Sequence, residues 1–280
     1  MSRRFRSSVA LALVTSALGA AGCATEPGTT GQLSVRLTDA PGDYVQTATI
    51  WVSSIYLIGG ADETGSRFTI TSTPAEYELM ALQHGVTAAL GTATIPVGDY
   101  TQMRLVVDRA EVTLKPGITI GGASTVSLQT PSAQRTGIKV NFSGPLHVAA
   151  GETILIVDFD VARNFVFQGP RGAPTGVSFK PVLHAVVDDI AASIAGTVGP
   201  AAAAAVNAEV LAIVPLTGTD TDTVASAVAD PTTGAYILRY LDPRVSHTVS
   251  VSATGYATQT RTVTLQTAQN VTGVNFTLVP

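Results

Sequence analysis

Leu33-Ser34-Val35-Arg36-Leu37-Thr38 places an apolar side chain at every second position and a polar one between. Side chains of an extended strand point alternately to its two faces, so this run reads as a strand with one buried face and one solvated face. The same period returns down the chain. Ile138, Val140 and Phe142 alternate with Lys139, Asn141 and Ser143, and Val249 and Val251 alternate with Ser250 and Ser252. Val274, Phe276 and Leu278 alternate with Asn275 and Thr277. Short alternating runs broken by Gly, Pro, Asp and Asn mark half-buried antiparallel strands, and many in close succession predict sandwiches or barrels. The fold class read from this pattern is all-β, with two β-sandwich domains in tandem.

Helical signal is scarce. Glu76 to His84 reads as a short helix, with Leu79 and Leu82 on one side and Gly85 as its stop. Ala201–Ala205 has high helix propensity. It lies between Gly199-Pro200 and a strand-like run at Val210–Val214, and so reads as a loop or a strand edge. Phe179 to Val187 reads as a closing strand and Ile194–Val198 opens a new pattern, which places a domain boundary near Asp188-Asp189. The expected domains are residues 32–189 and 190–280.

The chain has 280 residues, 45% hydrophobic and 13% charged, against about 25% charged in an average soluble domain. That is too apolar for disorder. A formal net charge of −4 argues against nucleic acid as a partner. A single cysteine, Cys23, excludes a disulfide framework and a cysteine-built zinc site.

Cys23 has a more specific context. Arg3, Arg4 and Arg6 precede an apolar stretch from Val9 to Ala21, and the small residues Ala20-Ala21-Gly22 come just before the cysteine. This is the order of a secretory signal, and the stretch falls short of the ~20 apolar residues of a comfortable membrane span. It resembles the lipobox of bacterial lipoproteins, with Ala20 where Leu is usual and Leu18 two positions earlier. Residues 1–22 are then a signal peptide, and 23–31 a lipidated cysteine with a flexible tether. Each buried methylene contributes about 0.8 kcal/mol, so several acyl chains anchor stably where one alone is marginal. Removing residues 1–22 takes away three arginines and no acid, moving the net charge from −4 to −7. No later stretch offers 18 uninterrupted apolar residues; Asn207, Glu209 and Pro215 break the nearest. The membrane partner is therefore reached through the N-terminal lipid. Ala24, rather than Asp, follows the cysteine, and by resemblance this favours the outer membrane or cell surface.

Separate motifs in order make residues 32–188 resemble the domain-of-unknown-function 4382 family of bacterial surface proteins. They are Leu37-Thr38-Asp39-Ala40-Pro41-Gly42-Asp43, the Ile50–Leu57 strand, Leu79–Val86 and Pro96–Leu105. Asp158-Phe159-Asp160 and Lys180-Pro181-Val182-Leu183 follow. This resemblance implies no activity. The remainder is similar to the carboxypeptidase regulatory-like domain, a prealbumin-type sandwich. The matching residues are Ile194–Val198, the turn Asp230-Pro231-Thr232-Thr233-Gly234-Ala235-Tyr236, Leu241-Asp242-Pro243, Val249–Tyr256 and the Val274–Leu278 strand. That resemblance implies a structural or binding accessory, and its likeness to starch-binding modules implies polysaccharide as an alternative partner to other envelope proteins. Tyr236 and Tyr256 are expected at sandwich corners.

Catalytic patterns do not appear. His84, His147, His184 and His247 begin no His-Glu-x-x-His arrangement, and there is no Gly-x-Ser-x-Gly elbow or phosphate-cradling loop. The expectation is a non-enzyme without an obligatory cofactor. The acidic residues are the candidate site. Asp158 and Asp160 sit two apart at the end of a predicted strand, on the face that carries Ile154 and Ile156. Two inward carboxylates cost several kcal/mol unless paired. With Asp39, Asp43 and Asp108 they form a candidate calcium set, hard oxygen ligands on loops and strand ends, although EF-hand spacing is absent. The competing reading is that the strand stops before Asp158, leaving solvated carboxylates or caps. Trp51 points opposite Ile50 and Val52 and is grouped with Ile55, so it is expected to be buried.

Overall fold

The computed structural model describes residues 29–39, 44–59, 66–170, 173–216 and 218–280. Cys23, the tether up to residue 28 and Asp43 lie outside them. The fold is all-β and sandwich-like, with several sheets.

The N-terminal part begins with β1 (Thr30–Thr38), β2 (Val45–Gly59), β3 (Arg67–Thr71), β4 (Ala75–Glu78) and β5 (Ala88–Pro96). It continues through β6 (Gly98–Leu114), β7 (Thr125–Leu128), β8 (Ile138–Phe142), β9 (Leu146–Val148) and β10 (Glu152–Asp158). A one-turn helix α1 (Pro131–Arg135) precedes β8, and α2 (Val161–Asn164) follows β10. After a hairpin of β11 (Phe165–Gln168) and β12 (Gly176–Phe179) comes β13 (Leu183–Val187). Eleven strands form one sheet in the order β3-β2-β6-β8-β13-β10-β1-β5, with β4 on β2 and β7 and β9 on β6. The alternating run that opens the chain behaves as its period requires. Leu33, Val35 and Leu37 are buried, and β1 pairs in parallel with β10, Leu37 beside Val157. The sheet curls until its ends meet: a Cβ on Gly91 of β5 would stand 3.0 Å from Cβ of Thr71 in β3.

The remaining strands are β14 (Ala192–Gly199), β15 (Glu209–Pro215), β16 (Thr221–Val228) and β17 (Ala235–Leu241), then β18 (His247–Ser252), β19 (Gln259–Val263), β20 (Asn270–Val271) and β21 (Phe276–Thr277). They make two small sheets, β17-β14-β20 with β21 on β14, and β16-β15-β18-β19. Ile194, Val210, Leu238, Val249 and Val251 are fully buried among them. Close backbone crossings demand glycine here: a Cβ on Gly196 would meet the Val274 oxygen at 2.0 Å, and one on Gly234 (φ +71°) the Val198 oxygen at 2.2 Å. Two hydrophobic clusters result, one drawn from residues 33–185 and one from 192–278, with no member in common.

Several local expectations are corrected. Glu76 and Tyr77 belong to β4, and the helical turn is a 3-10 segment from Leu79 to Gly85. Glu78 pins its start by accepting from the Met80 and Ala81 amides. Ala201–Ala204 forms one turn of helix, α3, so intrinsic propensity prevails over the neighbouring Gly-Pro. The strand expected from Phe179 to Val187 is broken between Phe179 and Leu183, where Asn164 captures the Lys180 and Val182 amides.

Candidate functional site

Across four neighbouring strands, Thr38, Asp158, His184 and Asn141 stand side by side in one row. The next row, Leu37, Val157 and Ala185, points into the first hydrophobic cluster, so the polar row faces the other way. There it meets β16 and β17. His184 Nε2 lies 3.5 Å from Asp222 Oδ2. Tyr240 Oη donates to the Gly85 oxygen at 3.1 Å, and Arg244 Nη1 reaches the Pro145 oxygen at 3.5 Å. Arg244 also forks the buried Asp242 carboxylate, with Nη2 to Oδ2 at 2.6 Å. Burial alone would raise Asp242, but the Arg244 guanidinium and amide overcome it and hold the carboxyl below its usual range. The His184 ring likewise lowers Asp222, against its burial.

Between the two sheet systems a cleft of about 510 Å³ opens, with Asp39, His84, Asp158, Ser226, Arg239 and Tyr240 among its lining residues. Two of these, His84 (φ 60°) and Tyr240 (φ 53°), hold left-handed backbone, a conformation that is unusual for a bulky aromatic residue. A register shift in the pairing of β17 with β14 accompanies it. The cleft offers carboxyl, guanidinium, imidazole and hydroxyl groups beside an aromatic ring, an inventory for non-covalent recognition of a polar ligand.

The acidic candidates divide. Asp158 ends β10 and accepts the Asp160 amide at 3.2 Å. Asp160 does not share a strand face with it: the strand has ended, Asp160 is in left-handed backbone (φ 48°), and its side chain caps α2 through the Arg163 amide. The competing reading holds in part: both carboxylates accept backbone amides of the turn, Asp160 as a helix cap, but Asp160 is buried and Asp158 half-buried rather than solvated. Ile154, Ile156 and Asp158 do share a face, and Ile156, 2% exposed, belongs to neither hydrophobic cluster; with Asp158 it lines a small cavity beside β16–β18. Asp39 Oδ1 accepts the Val161 amide at 2.8 Å, which ties it to the same corner as Asp160. Asp108 is elsewhere, on β6, bonded to Ser53 Oγ at 2.9 Å. Asp43 lies outside the described residues. Among the described residues no three His, Cys, Asp or Glu side chains are grouped so as to hold a metal ion. Burial pushes Asp158 well up. It also raises Asp160 to about 6, against the pull of the Ser226 hydroxyl and Arg163.

Of the histidines, His147 pairs with Asp99 at 2.8 Å on the surface, whereas His247 is fully buried. Tyr100 is buried in the first cluster, Tyr236 donates to the Val274 oxygen at 2.6 Å inside the second, and Tyr256 packs at that cluster's edge. The sequence did not single out Tyr240, Ser226 or Asp242 as meeting the N-terminal part. The one signal was a change of phase in β17, where inward Tyr236 and Leu238 are followed by inward Leu241 rather than Tyr240.

Fold and cleft together define an all-β protein with a polar recess between sheet systems. The chain belongs to the family described as a domain of unknown function, DUF4382, which matches residues 30–181, more than half of it. No curated protein matches. Among solved structures it is similar to the TIE protein of Bacillus anthracis, with 12% identity and a TM-score of 0.24, over 90% of this chain and 34% of that one. A leucine-rich repeat protein from Bacteroides thetaiotaomicron gives 9% identity and a TM-score of 0.19, over 90% and 26%. The major pilin from Streptococcus pyogenes gives 11% and 0.15, over 90% and 98%. The chain thus spans about a third and a quarter of the first two. Likenesses this faint carry no argument about function.

Proposed function

We propose that this protein is a non-enzymatic lipoprotein of the bacterial cell envelope, held by acyl chains on Cys23 and displaying residues 32–189 and 190–280 as two β-sandwich domains. Its role is structural, adhesive or binding, at the outer membrane or cell surface. The observation that supports the reading is a spacing: β1 starts at Thr30, seven residues after Cys23, which suits a folded body joined by a short tether to a lipidated cysteine. Among the described residues no helix is long and apolar enough to cross a membrane. The close crossings at Gly196 and Gly234 support the carboxypeptidase regulatory-like reading of residues 190–280, because both glycines fall within its matching motifs.

The cleft is where a partner is engaged. Tyr240 beside Arg239 and Ser226 favours a saccharide as the alternative to a protein loop, since a ring face and hydrogen-bonding groups converge there. Growth with a labelled fatty acid tests the anchor: the wild-type chain takes up label and sediments with membranes, and Cys23→Ala does neither. An unmodified Cys23 in native material, with the protein free in the medium, overturns the reading. A polysaccharide pull-down that stays blank with folded protein removes the saccharide alternative.

A further inference from the structure

His247 opens β18 and is 0% exposed. Its Nε2 lies 2.9 Å from the backbone oxygen of Asp242. A carbonyl oxygen only accepts, so Nε2 carries the hydrogen, and in the neutral ring Nδ1 is left with a bare lone pair. Burial favours that neutral ring, holding His247 below its usual range against the nearby Asp242 oxygen and carboxylate. Nδ1 is itself buried and has no protein hydrogen-bond partner. An acceptor left so is costly inside a protein.

A second buried nitrogen of this kind stands on the opposite sheet. His184 Nε2 makes no hydrogen bond of good geometry; Asp222 Oδ2, at 3.5 Å, is within ion-pair range but beyond an ordinary N–H···O distance. Both histidines line one small cavity, of about 20 Å³, that lies between the two sheet systems. Asn141 and Ser143 bring an amide and a hydroxyl to the same walls. Apolar cavities stay dry, but a polar one needs only about 10–15 Å³ to hold a water, together with two to four partners. This cavity meets both conditions, and no grouping of metal ligands competes for it among the described residues.

We propose that the cavity is a binding site for one water molecule that ties the two parts of the chain together. The water donates a hydrogen to His247 Nδ1 and bonds across the seam to His184 Nε2, with Asn141 on the same strand row as His184 completing its shell. A long polar contact is commonly bridged in this way. The seam is then a wet joint, in which a water completes what side chains alone leave unmade.

A high-resolution crystal structure of the mature chain tests the site. The expected result is one oxygen peak within ~2.7–3.2 Å of His247 Nδ1 and in contact with a group from the opposite wall. An empty cavity, or a peak with the anomalous signal of a metal, overturns the proposal. In solution, oxygen-17 relaxation dispersion counts long-lived internal waters. His247→Phe keeps a planar ring but removes the lone pair, and the count is expected to fall by one. An unchanged count in the folded variant, or no long-lived water in the wild type, overturns it equally; should the variant not fold, the wild-type measurements decide.

Discussion

Tyr240 donates its phenolic hydrogen to the backbone oxygen of Gly85 at 3.1 Å, across 155 positions of sequence. Both partners depend on left-handed backbone: Gly85 has φ 88°, and Tyr240 itself has φ 53°, one residue before the end of β17. The strained tyrosine turns its ring out of the second core and onto the first sheet system. Burial raises its hydroxyl above the usual phenol range, with Asp188 adding to the effect, so it remains a donor at neutral pH. Tyr240→Phe removes only this bond and is expected to cost about 1 kcal/mol. Chemical denaturation would show the loss, together with faster proteolysis between the two parts. A variant with unchanged stability and cleavage would mean that the bond does not hold the seam.

Gly234 closes the turn that begins at Asp230. The Asp230 carboxylate accepts the Thr232 and Thr233 amides at 2.9 and 2.7 Å, and these bonds, with the Thr233 hydroxyl, lower its pKa. The turn brings Gly234 so close to Val198 that a Cβ would overlap the backbone oxygen. Gly234→Ala adds both the φ penalty and this overlap, and more than ~1 kcal/mol of destabilisation is expected. The check is the unfolding midpoint, compared with Gly255→Ala, where φ is +85° but no atom lies within 4 Å. The Gly234 variant should be much the weaker of the two.

Much of the fold was legible because its strands obey a period of two, and the exceptions have a common cause. Counting residues from Ile50 groups Trp51 with Ile55. A bulge between Val52 and Ser54 inserts one residue, so that Ile55 and Leu57 rejoin Ile50 and Val52 in the core. Trp51 is left on the outer face, half-buried beneath Arg109, whose guanidinium carbon lies 3.6 Å from the ring centroid, and its Nε1 donates to Glu76 at 3.1 Å. Arg109→Ala is therefore expected to red-shift the emission of this single tryptophan while costing only about 0.5–1 kcal/mol. Unchanged fluorescence would return Trp51 to the interior.

The acidic site was legible in composition but not in geometry. Asp158 and Asp160 are recognisable as costly if buried, and the structure buries Asp160 and half-buries Asp158; their separation onto a strand end and a helix cap depends on a backbone reversal that the alternation could not foretell. Still less could a sequence show that Ser226, Asp222 and Tyr240 arrive from the other sheet system, because such contacts are made by docking rather than by local pattern.

The two kinds of buried group at the seam make opposite demands on pH. Asp160 is raised from 3.8 to about 6, chiefly by burial, so the folded chain holds a proton there that the unfolded chain releases. Its stabilising contribution is full below pH 4 and is lost as the pH rises through about 6, a change of up to ~3 kcal/mol at 1.36 kcal/mol per pH unit. His247 is lowered, so the unfolded chain binds the proton more tightly, and its contribution is present above about 6.5 and fades as the pH falls below that value. Asp160→Asn suits the same left-handed cap and cannot ionise. Stability measured by denaturant between pH 4 and 7 should therefore fall less steeply with rising pH in this variant than in the wild type. His247→Gln should change the profile in the other sense, flattening the loss on acidification. If both variants keep the wild-type pH profile, the burial of these groups at the seam is not what sets its stability.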